Sequence, residues 1–154
     1  MEGTTVPAKF VPPPGTELKC DPEHLPLFLE IIGTAFSRPG FRFRATEEYV
    51  SAICGFSSDI ITLIWLKYGG WLAIHGVKPL HLLWMLSRLK LYIPWTALGP
   101  MWGSGKTVFR ERALHCQVVL LGAMNEVRPL NRWTSFIGPL LIPGTDLVAW
   151  FRTD

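Results

Sequence analysis

Charge is scarce in this chain of 154 residues: 18% are Asp, Glu, Lys or Arg, whereas 49% are apolar. A charged share of roughly 25% is usual for globular proteins, so this composition excludes wholesale disorder. Long hydrophobic runs are also missing. No charge-free stretch reaches the roughly 18 apolar residues that crossing a bilayer requires; residues 113–125 and 133–145 supply thirteen each. No transmembrane helix is expected. Met1-Glu2-Gly3-Thr4 contains no basic segment leading into an apolar one, so no secretory signal is read and an intracellular protein is expected. Cysteine is sparse. Cys20, Cys54 and Cys116 are odd in number and widely spaced, which excludes a disulfide framework and a zinc knuckle and predicts reduced thiols. His24, His75, His81 and His115 share no metal-ligand spacing, and no Ser-His-Asp or Cys-His set can be assembled. Neither a cofactor nor catalysis is predicted.

What is present fits one domain, since the chain is long enough for one core and too short for two. The net charge of +3 is mild, but it is unevenly spread. Lys78, Arg88, Lys90, Lys106, Arg110 and Arg112 face a single acid, Glu111, within residues 78–112, and the rest of the chain is slightly acidic.

Pro7, Pro12, Pro13, Pro14 and Gly15 predict a flexible tail over residues 1–19, because prolines without backbone donors cannot join a helix or a central strand. A helical domain over residues 20–128 should follow. Asp21 and Pro22 open a first helix over 22–36, with Leu25, Phe28, Leu29 and Ile32 on its apolar side. Ser37-Arg38-Pro39-Gly40 is turn chemistry, and Phe41-Arg42-Phe43-Arg44 alternates like a short extended arm. Thr46 caps a short helix that ends before Gly55, and its Glu47-Glu48 pair is read as helix N-terminal charge. Ser57 caps an apolar helix closed by Gly69-Gly70. Lys78-Pro79 opens a helix to about residue 91, and Pro94 opens a short element that Gly99-Pro100 should stop. After the turn Trp102-Gly103-Ser104-Gly105, a long helix runs over residues 106–127. The fold class is all-α, with an irregular tail over 129–154.

Gly103-Ser104-Gly105-Lys106-Thr107 ends like a phosphate-binding loop, but Pro100 stands where the pattern needs glycine, and no strand precedes it. Nucleotide hydrolysis is therefore the third reading. A short helix, a glycine-bearing turn and a helix with a basic N-terminal end form a helix-turn-helix pattern, whose second helix enters the DNA major groove. Ser104, Lys106, Thr107 and Arg110 would then meet base edges or phosphates, with Arg112 on the backbone and Arg42 and Arg44 as an auxiliary arm. Trp95 and Trp102 flank the turn and should pack its helices together.

Four stretches carry a family resemblance: Cys54-Gly55-Phe56 leading to Ile64-Trp65; Val77-Lys78-Pro79-Leu80-His81-Leu82-Leu83-Trp84-Met85-Leu86 with Leu89-Lys90-Leu91-Tyr92; Lys106-Thr107-Val108-Phe109-Arg110; and Leu130-Asn131-Arg132-Trp133 before Phe136-Ile137-Gly138. Residues 41–136 resemble the region ahead of the catalytic core in Harbinger-like transposases of the DDE superfamily. The resemblance implies a helix-turn-helix that recognises double-stranded DNA, and a nuclear protein. In that family a strand ending in Asp-Gly-Thr-Asp supplies the first metal-binding carboxylate. Here Pro143-Gly144-Thr145-Asp146 places proline at that position, and the rest of the triad has no match, which implies DNA binding without the nuclease. The rival expectation is a helical protein-interaction module, motivated by the apolar excess. A non-functional transposase remnant would carry the same sequence.

Overall fold

The computed structural model describes residues 6–127. Six α-helices carry the described chain: α1 Phe28–Phe36, α2 Glu47–Cys54, α3 Ser58–Ile74, α4 Pro79–Leu91, α5 Trp95–Met101 and α6 Lys106–Val127. No strand occurs among the described residues, and the fold is all-α. Among the described residues no single helix is long and apolar enough to cross a membrane; α2 and α3 pass that test only together, and they bend by 63° at the break between them. The expected tail over 129–154, including Pro143, lies outside the described residues.

The helix starts follow from capping chemistry. The Thr46 side chain accepts from the Tyr49 amide at 3.2 Å, and Ser57 accepts from the Ile60 amide at 3.4 Å. Each satisfies an amide that has no partner within its own helix. Glu47 does more than complement a helix dipole. Its carboxylate accepts from both the amide and the hydroxyl of Ser58, so the first residue of α2 also clamps the start of α3. Lys78 precedes Pro79 at the first position of α4, where His81 Nδ1 accepts from the Lys78 amide at 3.2 Å.

α4 is the central helix. Leu82, Leu83, Trp84, Met85, Leu86, Ser87 and Leu89 are all buried, with α2 and α6 packed against the helix and α5 packed in turn on α6. α3 adds Ile61, Ile64, Trp65, Tyr68 and Leu72 to the same core, and α6 adds Phe109, Ala113, Cys116, Val119, Leu120 and Met124. α1 lies over α2, α3 and α4 and contributes Phe28 and Ile32.

Four expectations need correction. The first helix does not begin at residue 22. Asp21 does cap Pro22–His24, its carboxylate accepting from the Glu23 amide at 3.0 Å, but only as a 3-10 turn. Pro26 forces Leu25 into extended backbone (φ −67°, ψ 132°), and α1 starts afresh at Phe28.

Gly69-Gly70 does not close α3, which continues to Ile74. The pair marks a crossing instead. The Gly70 amide donates to the Leu18 carbonyl at 2.9 Å, and the Cys20 amide donates to the Leu66 carbonyl at 2.9 Å. A Cβ at Gly70 would lie 2.5 Å from the Lys19 oxygen, so only glycine lets the incoming backbone approach this closely.

Residues 6–19, expected as part of a flexible tail, therefore form a strap against the helices. Leu18 and Pro12 are buried, and Phe10 sits edge-on to His75 and His115 at 5.2 and 5.4 Å. Finally, Gly99-Pro100 does not stop α5, which runs on to Met101. Proline removes one amide near the C-terminal end of a short helix, and the Thr96 carbonyl that loses its partner belongs to an exposed residue that water can reach.

Candidate nucleic-acid interface

The turn between α5 and α6 is tied from several sides. The Ser104 amide donates to the Gly99 carbonyl at 2.8 Å, and the Gly103 amide donates to Pro100 at 2.9 Å. Gly103 has φ +76°, the left-handed conformation that glycine adopts without strain. Trp102 is buried beneath the turn, where its indole N–H donates to Ser87 Oγ at 3.1 Å and its ring meets Phe36 at 4.7 Å. Trp95 approaches Phe109 at 6.1 Å, and Trp84 stacks on the same ring at 4.8 Å. Trp95 thus packs α5 on α6, whereas Trp102 joins the end of α5 to α4 and α1. The turn follows helix α5, so the strand that precedes a phosphate-binding loop is replaced by a helix.

This scaffold leaves the first two turns of α6 on the surface. Lys106, Thr107, Arg110 and Arg112 are exposed, and Ser104 is half-buried, its hydroxyl donating to the Gly105 carbonyl at 3.2 Å. Among the described residues, no hydrogen bond or ion pair engages the side chains of Lys106, Arg110 or Arg112. The buried stripe through Phe109, Ala113 and Cys116 faces the core, so the charges must point outward.

The predicted basic residues nevertheless fall into three groups. Lys106 and Arg110 are one turn apart and share a flank of α6. Arg112 lies on the other flank, close enough to the start of α4 that its charge, with those of Lys78 and His115, helps hold His81 neutral; burial of the imidazole is the larger cause, and together they lower its pKa to about 4. Arg42 and Arg44 are exposed on the extended segment after α1, where they line a recess whose other walls come from α1 and residues 43 and 45. No α6 residue lines that recess.

Two residues at this surface carry no signal in the basic pattern. Val108 is 52% exposed among the polar residues of α6. Arg38, read only as part of a turn, donates through Nη1 to the Ala35 and Ser37 carbonyls at 2.8 and 2.9 Å, and through Nη2 to Met101 O at 3.4 Å. It thereby connects the end of α1 to the α5–α6 turn. Pro39-Gly40 fixes its backbone, with Gly40 at φ +80° and paired hydrogen bonds between Arg38 and Phe41 at 2.9 and 2.8 Å. Neither contact is foreseeable from spacing along the chain, because each depends on a neighbour brought in by the fold.

No group of three or more His, Cys, Asp or Glu side chains placed to hold a metal occurs among the described residues. No protein-family model, curated protein or solved structure matches this chain.

Proposed function

We propose that the chain binds double-stranded DNA, with α5, the turn and α6 acting as a helix-turn-helix in a nuclear protein derived from a transposase. The observation that carries this reading is the exposed basic set at the N-terminal end of α6, without a hydrogen bond or ion pair among the described residues, on a helix whose opposite side is locked in the core. A recognition helix presents its N-terminal residues to the major groove, and free guanidinium and ammonium groups there can reach phosphates or guanine edges. Lys106, Thr107 and Arg110 face the groove, Ser104 and Arg112 approach the backbone, and Val108 offers an apolar contact to a thymine methyl group. Arg42 and Arg44 add positive charge at a distance.

Fluorescence anisotropy with a labelled mixed-sequence duplex at two salt concentrations tests the proposal. Binding should weaken with salt, each neutralised phosphate contributing about −0.9 to the slope of log K against log salt. Lys106→Ala and Arg110→Ala should each reduce that slope by about one contact. No binding at low salt by protein whose circular dichroism shows intact helix would overturn the reading.

One observation favours a helical protein-interaction module instead. Leu63 and Ile74 are 48% and 71% exposed on α3, and a separation close to three helical turns places them on the same side. Association through that side would be insensitive to salt or strengthened by it, the opposite of DNA binding.

A further inference from the structure

The recess beside α1 differs from the α6 surface in shape and in chemistry. It measures about 430 Å3, within the usual range of small-molecule sites. Its floor is one face of α1 with the residue that ends it, formed by Glu30, Gly33, Thr34 and Ser37, and its wall is the segment carrying Arg42 and Arg44.

That wall is fixed. Phe43, between the two arginines, packs its ring on Phe36 and Tyr49 at 5.6 and 4.7 Å. Its amide donates to Ser37 Oγ at 2.9 Å, and the same hydroxyl donates to the Gly33 carbonyl at 2.7 Å. Arg42 and Arg44 both line the recess, and two residues apart along a stretched chain their Cα atoms lie about 6–7 Å from each other. Two guanidinium groups at that spacing can close on a single tetrahedral oxyanion, each offering a planar pair of donors.

Competing acceptors are already occupied. Ser37 Oγ takes the Gly33 carbonyl, and Arg38 takes those of Ala35 and Ser37. Among the described residues neither Arg42 nor Arg44 has a hydrogen bond or an ion pair, even though Glu30 lines the same recess. Glu30, Arg42 and Arg44 are all exposed, so the recess offers one negative and two positive groups to an incoming ligand. A bare anion satisfies only the arginines and is repelled by Glu30.

We propose that this recess is a binding site for a small phosphomonoester that also carries an ammonium group: the phosphate between Arg42 and Arg44, the ammonium on Glu30. The proposal is independent of DNA binding by α6.

Titration calorimetry of the full chain with O-phosphoethanolamine, inorganic phosphate and ethanolamine tests it. Phosphoethanolamine binds, phosphate alone binds about tenfold more weakly, and ethanolamine gives no signal. Arg42→Gln and Arg44→Gln each weaken phosphoethanolamine about ten- to hundredfold, the range expected for one charged hydrogen-bonding partner. Glu30→Gln removes the preference over phosphate. All three variants keep wild-type helix content, and Glu30→Gln keeps wild-type duplex binding at fixed salt. Absence of binding at millimolar phosphoethanolamine, affinity unchanged in both arginine variants, or a preference over phosphate that survives Glu30→Gln would each overturn the proposal.

Discussion

Replacing Gly70 with alanine sets two effects of opposite sign against each other. In a helix interior alanine is favoured over glycine by about 1 kcal/mol, so a free helix would gain. In the folded chain the new Cβ would lie 2.5 Å from the Lys19 oxygen and 3.0 Å from that of Leu18. Both are backbone atoms that cannot rotate away, so the strap must lift. Lifting breaks the bonds from Gly70 to Leu18 and from Cys20 to Leu66, both at 2.9 Å. These contribute about 0.5–1.5 kcal/mol each. It also returns Leu18, 5% exposed in the fold, to water, at about 1.5–3 kcal/mol. Net destabilisation of about 2–4 kcal/mol is expected. In urea denaturation followed by tryptophan fluorescence, that lowers the midpoint by about 1–2 M at an ordinary m-value. Leu18→Ala alone should also destabilise, and the double variant should lose less than the sum, because both changes release the same segment. A midpoint raised by Gly70→Ala would refute the argument, since only helix propensity would then be at work.

Acid should weaken the fold through His81. Its folded-state pKa, lowered to about 4, lies below the ordinary value of 6.5. The unfolded chain therefore takes up the proton first, and stability present above pH 6.5 is lost as the pH falls from about 6.5 towards 4. His81→Gln keeps an acceptor for the Lys78 amide without titrating, so its stability should decline less over that window; an unchanged decline would remove His81 as a source. Among the thiols, half-buried Cys20 should react with iodoacetamide in the native protein. Cys54, pushed up to about 12 by burial, and fully buried Cys116, pushed up for the same reason, should not react, as mass spectrometry of the native and urea-treated chain would show. Ser87→Ala strips the acceptor from the buried Trp102 indole and should cost about 1–3 kcal/mol in denaturant melts; a neutral result would mean that water replaces the hydroxyl.

Local signals along the chain located most of the helices. Thr46, Ser57 and Lys78-Pro79 each mark an observed start, because capping is settled within four residues. The same local logic fails at Gly69-Gly70 and Gly99-Pro100. Both read as stops when only neighbours in sequence are considered, but Gly70 is shaped by Lys19 lying across it, and Pro100 is tolerated because Thr96 faces water. The strap was invisible for a related reason: prolines predict that no helix forms, which leaves open whether an irregular segment packs. At the candidate site the exposure of Lys106, Thr107 and Arg110 follows from the apolar spacing of Phe109, Ala113 and Cys116. The separation of Arg42 and Arg44 from α6, and the reach of Arg38 to Met101, depend on how α1 meets α5, which no spacing encodes.

The strap also orders events in folding. Its inner end crosses α3 at Gly70, but Phe10 is seated against α6 at Gly122, where a Cβ would lie 2.1 Å from the Phe10 oxygen. The early residues therefore find their seat only after nearly the whole described chain has been made and α6 has settled. Contacts so distant along the chain carry a large closure entropy and tend to form late. During synthesis Leu18 and Cys20 can settle on Gly70 and Leu66 as soon as α3 forms, whereas Phe10 waits for α6, so the strap closes from its inner end outward.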